Sequence, residues 1–434
     1  MEKEKIEWYR EFVDTSYKPK KDEIKVLFYY EPSEGITSID AVGRIASESS
    51  CGTWTTLAEM PKILPKIKAY AYWYNENYVK VSYPQILFEK GSIANFLSGP
   101  AGNIFGMKAV KNLKLLDAEF PLSFVKSFKG PNYGITAIKK IFKKKRGPIT
   151  SVVPKPKLGF TAREHAEKIG FEVWKGGVDC VKDDENLTNQ KFNKFIDRVK
   201  WLAKYRDKAE KITGEVKDAF INVTSPNLKE LEKRIKIVHD YGFKYFMIDV
   251  VISGFTAVQT ASDLAHDLDM AIHGHRAMHA MFTRNPKHGM SMLFLAKLMR
   301  LIGIDQLHIG TVIGKLEGSK EEIVATKEMI MSNEVSEIER LRMPQKWGKI
   351  KSMLPVASGG LHPGLLPELF DIYGTTDIVI QVGGGVQAIG AYEGAKALTQ
   401  AIEAYHQGIS LEEYAKNHPE LKKSLEFFGY IKPI

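Results

Sequence analysis

The chain has 434 residues, 44% hydrophobic and 26% charged, with a formal net charge of +10. That length favours two unequal domains over a single core, and the composition excludes the disordered and fibrous classes. No apolar stretch reaches the roughly 18 residues that a membrane span requires, and the opening Met1-Glu2-Lys3-Glu4-Lys5 carries both charge signs, so the expectation is a cytoplasmic protein with neither membrane segment nor secretory leader.

The first 135 residues are expected to form an α+β domain, with strand-like IKVLFYYEP and NYVKVSYPQILF around helix-like SIDAVGRIASES. Cys51 and Cys180 are too few for a disulfide framework and lack the paired spacing of a zinc site. The boundary falls within residues 130–147, where glycine, proline and a basic run separate two patterns, and the domains are taken as 1–135 and 136–434. In the basic run, Lys139-Lys140 and Lys143-Lys144-Lys145-Arg146 enclose Ile141 and Phe142, as at the solvated end of a short helix.

From residue 150 onward a short apolar run, a polar or glycine-bearing turn and a longer helical stretch recur. The runs are ITSVVPKPK, VDCVKDDE, AFINVTS, YFMIDVVIS, MAIHGHRAM, DQLHIGT, MLPVASGG and DIVIQVGGG, with 189–211 and 226–241 among the connecting helices. Eight β-then-α units predict a TIM barrel, an α/β fold, preceded here by the smaller domain. Each run turns polar, charged or glycine-rich at its C-terminal end, the face on which such barrels carry their chemistry.

In chain order, the first strand ends on Lys155 and Lys157, two apart and on one face, a pair that needs an anion or a metal-bound carboxylate between them unless both are solvated. The second ends on Lys182, Asp184 and Glu185. Free lysine is a poor ligand, but its uncharged amine reacts with carbon dioxide to give a carbamate, and three anionic oxygens suit Mg²⁺. An exposed turn with one ion pair is an equally good reading of that segment alone. The fifth supplies His273, His275, Arg276 and His279, in which His-x-His is a known metal-ligand spacing and His279 reads as a core or helix-start histidine.

The glycine loops Ser358-Gly359-Gly360 and Gly383-Gly384-Gly385 follow strands seven and eight, where TIM barrels often bind phosphate on bare backbone amides. Arg276 and His308, at the ends of strands five and six, could hold a second anion, which implies a bisphosphate. Each glycine triplet by itself can also be only a tight turn. Residues 310–318, GTVIGKLEG, read as a lid that brings Lys315 to charge developing in the site.

Together PKPKLG, GGVDCVKDDEN, HGHRAMHA, GTVIGKLEG and ASGGLHPG, with ESSCGTWTT and GNIFGMK in the first domain, resemble the ribulose bisphosphate carboxylase/oxygenase family over nearly the whole chain. AGNIFGMKAVKNLKL, RNPKHGMSM and LIGIDQLH are most similar to its archaeal form III branch. The resemblance implies carboxylation of ribulose 1,5-bisphosphate to two molecules of 3-phosphoglycerate by way of a magnesium-bound enediolate, with oxygen as a side substrate. It implies that carbon dioxide also activates, as a carbamate on Lys182, with Asp184 and Glu185 completing the Mg²⁺ site and the carbamate taking a proton from the third carbon of the sugar. Lys155 and Lys157 would handle protons, His275 would assist later steps and Lys315 would hold the new carboxylate. Arg276, His308 and Ser358 resemble one phosphate site, and Thr53, Trp54, Gly360, Gly383 and Gly384 the other. Glu48 and Asn103 would reach the lid lysine and the substrate from the first domain of a neighbouring subunit, in a homodimer or an assembly of dimers without a small subunit.

One departure stands after Gly385, where the family usually continues with a His-Pro-containing stretch and this chain reads Val386-Gln387-Ala388-Ile389, about two residues shorter. The nearest rival is a relative that enolises or isomerises phosphosugars without carboxylation, and retention of Glu48, Thr53, Asn103, GTVIGKLEG and Ser358 ranks it lower. An amidohydrolase-type barrel places His-x-His before its carbamylated lysine, the reverse of the order here. A nucleic-acid-binding protein would rest on net charge and the Lys139 to Arg146 run alone, with no binding motif, so no nucleic acid is expected as a partner.

Overall fold

The computed structural model describes residues 7–314 and 318–433. The chain divides into two compact units: Met1–Lys129 with Met278–Ile302 and Ser332–Ile350, and Gly130–Ala277 with Gly303–Met331 and Lys351–Ile434.

In the first unit Ile24–Pro32 lies between Val110–Glu119 and Tyr78–Tyr83, with Tyr70–Tyr74 on the far side of Tyr78–Tyr83, all antiparallel. The short strand Gly289–Met290 joins Val110–Glu119 in parallel. Helix Ser38–Glu48 starts where the Thr37 side chain accepts from the Asp40 amide, and its helical spacing buries Ala41, Val42, Ile45 and Ala46.

The second unit is the barrel. Its strands are Ile149–Val152, Cys180–Lys182, Asp218–Phe220, Tyr245–Asp249, Ala271–His275, Gln306–His308, Leu354–Ser358 and Val379–Val382. Numbered one to eight, they hydrogen-bond in parallel in the order 3-2-1-8-7-6-5-4. The ring closes between strands three and four through the parallel bridge Asn222↔Met247. All eight apolar runs seen in the sequence are therefore barrel strands, each shorter than its run because the polar ends belong to the loops.

Ile138 and Phe142, on and just after helix Gly134–Ile141, pack with Ile149, Cys180, Phe220, Tyr245 and Val379. These large side chains fill the end of the barrel where its strands begin, which leaves the opposite end for polar chemistry. The basic run is not wholly solvated. The helix stops at Ile141, Lys143 adopts φ 53°, and Lys144 turns back to Asp179, 2.5 Å away. The helix expected from 189 begins at Phe195, because the Asn189 side chain accepts from the Phe195 amide and caps it from outside. Among the described residues no helix is long and apolar enough to cross a membrane.

Candidate active site

Cys180 and Lys182 are two apart on the second strand and face inward, Cys180 in the apolar floor and Lys182 in the layer above it. The Lys182 amine is buried and donates to the Asp183 carbonyl at 2.7 Å. Burial lowers its pKa, opposed by Glu185, Asp249, Asp184 and Asp183. Asp183 faces away from the cavity, where its carboxylate accepts from Arg198 Nε at 2.8 Å and the Asn222 amide at 2.9 Å. This buried clasp fixes the strand end that presents Lys182 and Asp184.

Asp184 Oδ2 lies 3.2 Å from Lys155 Nζ, and its Oδ1 accepts from the Asn186 side chain at 2.9 Å. Burial raises the Asp184 pKa, but the bonds from Asn186, with Lys155 and Lys182 close by, outweigh it and hold the carboxylate below its ordinary range. His275 Nδ1 meets Asp249 Oδ1 at 2.9 Å, and its Nε2 faces Glu185 at 3.7 Å. Burial holds His275 down, with help from Lys182 and against the pull of Asp249.

Lys155, Lys182, Asp184, Glu185 and His275 line a cavity of about 640 Å³ with His308, Ser358 and the glycine loops 359–360 and 383–385. Phe427, Phe428 and Ile431 near the C-terminus form part of its wall. Gly359 and Gly360 have φ of 105° and 82°, a conformation open to glycine at no steric cost. At Gly383 a Cβ would stand 2.9 Å from Lys155 Cε, so the absent side chain is what lets the lysine pass.

The structure brings Lys155, Lys182, Asp184, Glu185, His275, His308, Ser358, Gly360, Gly383 and Gly384 to this one cavity. Arg276 is buried beneath the loop after strand six, near Gly310, and its Nη2 has no hydrogen-bond partner among the described residues. Its pKa is pushed down to about 10 by burial, with partial compensation from Tyr373 and Glu322. A buried guanidinium with an unmatched donor is a ready anion ligand. Lys157 is exposed outside the lining. Lys315 lies outside the described residues. Both ring nitrogens of His308 are already engaged, by His273 and Ser358.

Glu48, Thr53, Trp54 and Asn103 belong to the first unit. Glu48 ends helix Ser38–Glu48 half-buried, with its pKa raised by desolvation. Trp54 is 62% exposed on the following loop, and Asn103 is exposed at the start of the turn Asn103–Gly106. Among the described residues no three His, Cys, Asp or Glu side chains are grouped to hold a metal. The site therefore offers two carboxylates and an amine.

Asp249 and Gln387 are among the supporting residues that the sequence did not reveal. Asp249 ends strand four in YFMIDVV, and a carboxylate closing an apolar strand was the signal for it. Gln387 lies in the segment that departs from the family pattern. Its Nε2 donates to the Val153 carbonyl at 2.7 Å and its Oε1 accepts from the Lys155 amide at 2.8 Å, which ties the eighth loop to the backbone carrying Lys155. No local pattern announces that contact.

Residues 134–428 match the family of ribulose bisphosphate carboxylase large-chain catalytic domains, and residues 11–124 match that of the N-terminal domain. The ribulose bisphosphate carboxylase of Pyrococcus abyssi is 48% identical, over 99% of both chains. That of Archaeoglobus fulgidus is 47% identical, again over 99% of both. Among solved structures, a dimeric archaeal Rubisco from Hyperthermus butylicus is similar with a TM-score of 0.93 at 48% identity, covering 98% of this chain and all of that one. An octameric ribulose-1,5-bisphosphate carboxylase/oxygenase from Pyrococcus horikoshii gives 0.92 at 47% identity, over 99% of each chain.

Proposed function

The chain belongs to the ribulose bisphosphate carboxylase large-chain family and is a ribulose bisphosphate carboxylase; from that premise we propose that it acts as a form III enzyme through Lys182, Asp184, Glu185, Lys155 and His275. The observation that carries this reading is the buried Lys182 amine, which lines with Asp184 and Glu185 a cavity large enough for a sugar bisphosphate. Its burial favours the neutral amine, the form that adds carbon dioxide. The resulting carbamate is the third oxygen donor that Asp184 and Glu185 lack, and an all-oxygen set at a polar mouth suits Mg²⁺. When bound, the ion supplies Lewis acidity that lowers the cost of developing negative charge on substrate oxygens.

The chain's own groups do the rest. Lys182, once it carries the carbamate, would take the proton from the third carbon of ribulose 1,5-bisphosphate. Lys155, beside Asp184, and His275, its Nδ1 held by Asp249, move protons at the carbons and oxygens that react afterwards, as carbon dioxide or, in the side reaction, oxygen adds. Arg276 and Ser358 bind one phosphate, and the amides of Gly360, Gly383 and Gly384 bind the other, with Thr53 and Trp54. Lys157 assists at the substrate, and Lys315 neutralises the new carboxylate. His308 acts through Ser358 rather than on phosphate, since both of its nitrogens are occupied.

Glu48, Thr53, Trp54 and Asn103 come from the neighbouring chain of a homodimer, alone or within an assembly of dimers, without a small subunit. We place the enzyme in the cytoplasm, in keeping with two free cysteines. Incubation with labelled bicarbonate, Mg²⁺ and ribulose bisphosphate is expected to give acid-stable label in 3-phosphoglycerate, and Lys182→Ala none. Label formed equally well by Lys182→Ala would remove Lys182 from the reaction.

A further inference from the structure

Four side chains form a hydrogen-bonded line that crosses the barrel interior and ends at the cavity wall. Gln306 Nε2 lies 2.7 Å from His273 Nδ1, His273 Nε2 is 2.8 Å from His308 Nε2, and His308 Nδ1 is 2.6 Å from Ser358 Oγ. Gln306 and His273 are fully buried, and of the four only His308 and Ser358 line the cavity. His273 stacks on Phe220 at 4.3 Å between centroids and meets His308 edge-on at 4.8 Å. Burial is the main cause that holds both imidazoles neutral.

A neutral imidazole has one N–H and one bare nitrogen, so every bond in the line must point the same way. Only two polarities exist. Either Gln306 donates inward and Ser358 accepts at the far end, or Ser358 donates to His308 and the Gln306 carbonyl accepts. In the first, the Ser358 hydroxyl hydrogen is free to point into the cavity. In the second, Ser358 offers the cavity only lone pairs.

We propose that Gln306 imposes the first polarity and is a positioning residue for the Ser358 hydroxyl, which it turns into a fixed donor to an oxyanion of the substrate. The amide of Gln306 faces His273 with its amino group, and the group left without a partner among the described residues is the carbonyl oxygen. A buried orphan carbonyl is tolerated better than a buried orphan N–H. The cavity wall agrees with this sense. A donor at Ser358 continues the set formed by Lys155 and the glycine amides, whereas lone pairs there would repel a phosphate or carboxylate. The signal crosses three bonds without moving an atom heavier than hydrogen.

The role given to Gln306 rests on the reading of Ser358 as a substrate-binding residue, and the test separates the two. Nitrogen-15 correlation spectra of the whole histidine-labelled protein should show His273 protonated at Nε2 and His308 at Nδ1. The opposite tautomers would overturn the proposal whether or not the enzyme fixes carbon dioxide. Gln306→Met, which keeps the volume but not the donor, should raise the KM for ribulose bisphosphate about tenfold with a much smaller change in kcat. In a Ser358→Ala background the same substitution should change KM little. An equal loss in both backgrounds would mean that Gln306 acts through packing alone and would sink the idea. If Ser358→Ala itself left KM unchanged while the tautomers were as expected, the substrate role of Ser358 would fall, and the positioning role of Gln306 with it.

Discussion

His165 is wholly buried, 3.5 Å from the Asp183 carboxylate, and burial brings its pKa down to about 4 against the pull of that carboxylate. In the unfolded chain the same ring titrates near 6.5. Between those values the unfolded state binds a proton that the folded state refuses. Stability present above pH 6.5 is therefore lost as pH falls toward 4, by on the order of 3 kcal/mol for this one group. His165→Gln removes that titration. Denaturant midpoints at pH 7 and pH 4.5 are expected to differ less in the variant than in the parent, and an unchanged difference would show that His165 protonates freely in the fold. The residue matters beyond stability because Asp183 also anchors the strand end that carries Lys182.

Helix Met292–Ile302 is buried on every face, yet it contains Lys297 and Arg300. Read alone, MLFLAKLMRLI is an apolar helix with two unexplained charges. In the first unit Lys297 Nζ meets Asp117 Oδ1 at 2.7 Å, both side chains fully buried, and Asp117 Oδ2 accepts from the Met343 amide. One pair thus ties the helix to strand Val110–Glu119. Arg300 donates to the Ser332 carbonyl at 2.7 Å and lies over Trp347 at 4.2 Å. Replacing Lys297 with Met strands a buried carboxylate and is expected to cost about 3–5 kcal/mol in urea unfolding. Adding Asp117→Leu should restore most of it, since two apolar groups of similar volume need no pairing. A double variant no more stable than the single one would show that the helix is held by something other than this pair.

At the scale of the whole molecule, Lys182 and Asn103 lie in different units of one chain, and the proposed site takes them from different chains. A two-fold dimer supplies both pairings at once. Lys182→Ala and Asn103→Ala are each expected to be inactive. Mixed after reversible dissociation, they form hybrids with one doubly defective site and one intact site. Activity should rise toward one quarter of the parent value per chain, because about half of randomly paired dimers are hybrids with one good site each. No recovery despite verified subunit exchange would mean that each chain completes its own site.

The sequence by itself determined the barrel and the rim at which its lysine, carboxylate, histidine and glycine residues gather. Both are local properties: a β-strand alternates its faces every second residue, so eight apolar runs ending in lysine, carboxylate, histidine or glycine locate the strands and the rim that carries chemistry. Lys182, Asp184 and Glu185 were legible because they are neighbours in the chain. What holds them was not. Asp183 with Arg198, His275 with Asp249, Gln387 with the Lys155 backbone, and the line from Gln306 to Ser358 join residues up to 232 positions apart. Such pairs leave no periodic trace, since their chemistry depends on which strand lies beside which and on how deeply each side chain is buried. Only the closed barrel decided that His308 would spend both nitrogens inside the protein, and so that its neighbour Ser358 would be left to face the cavity.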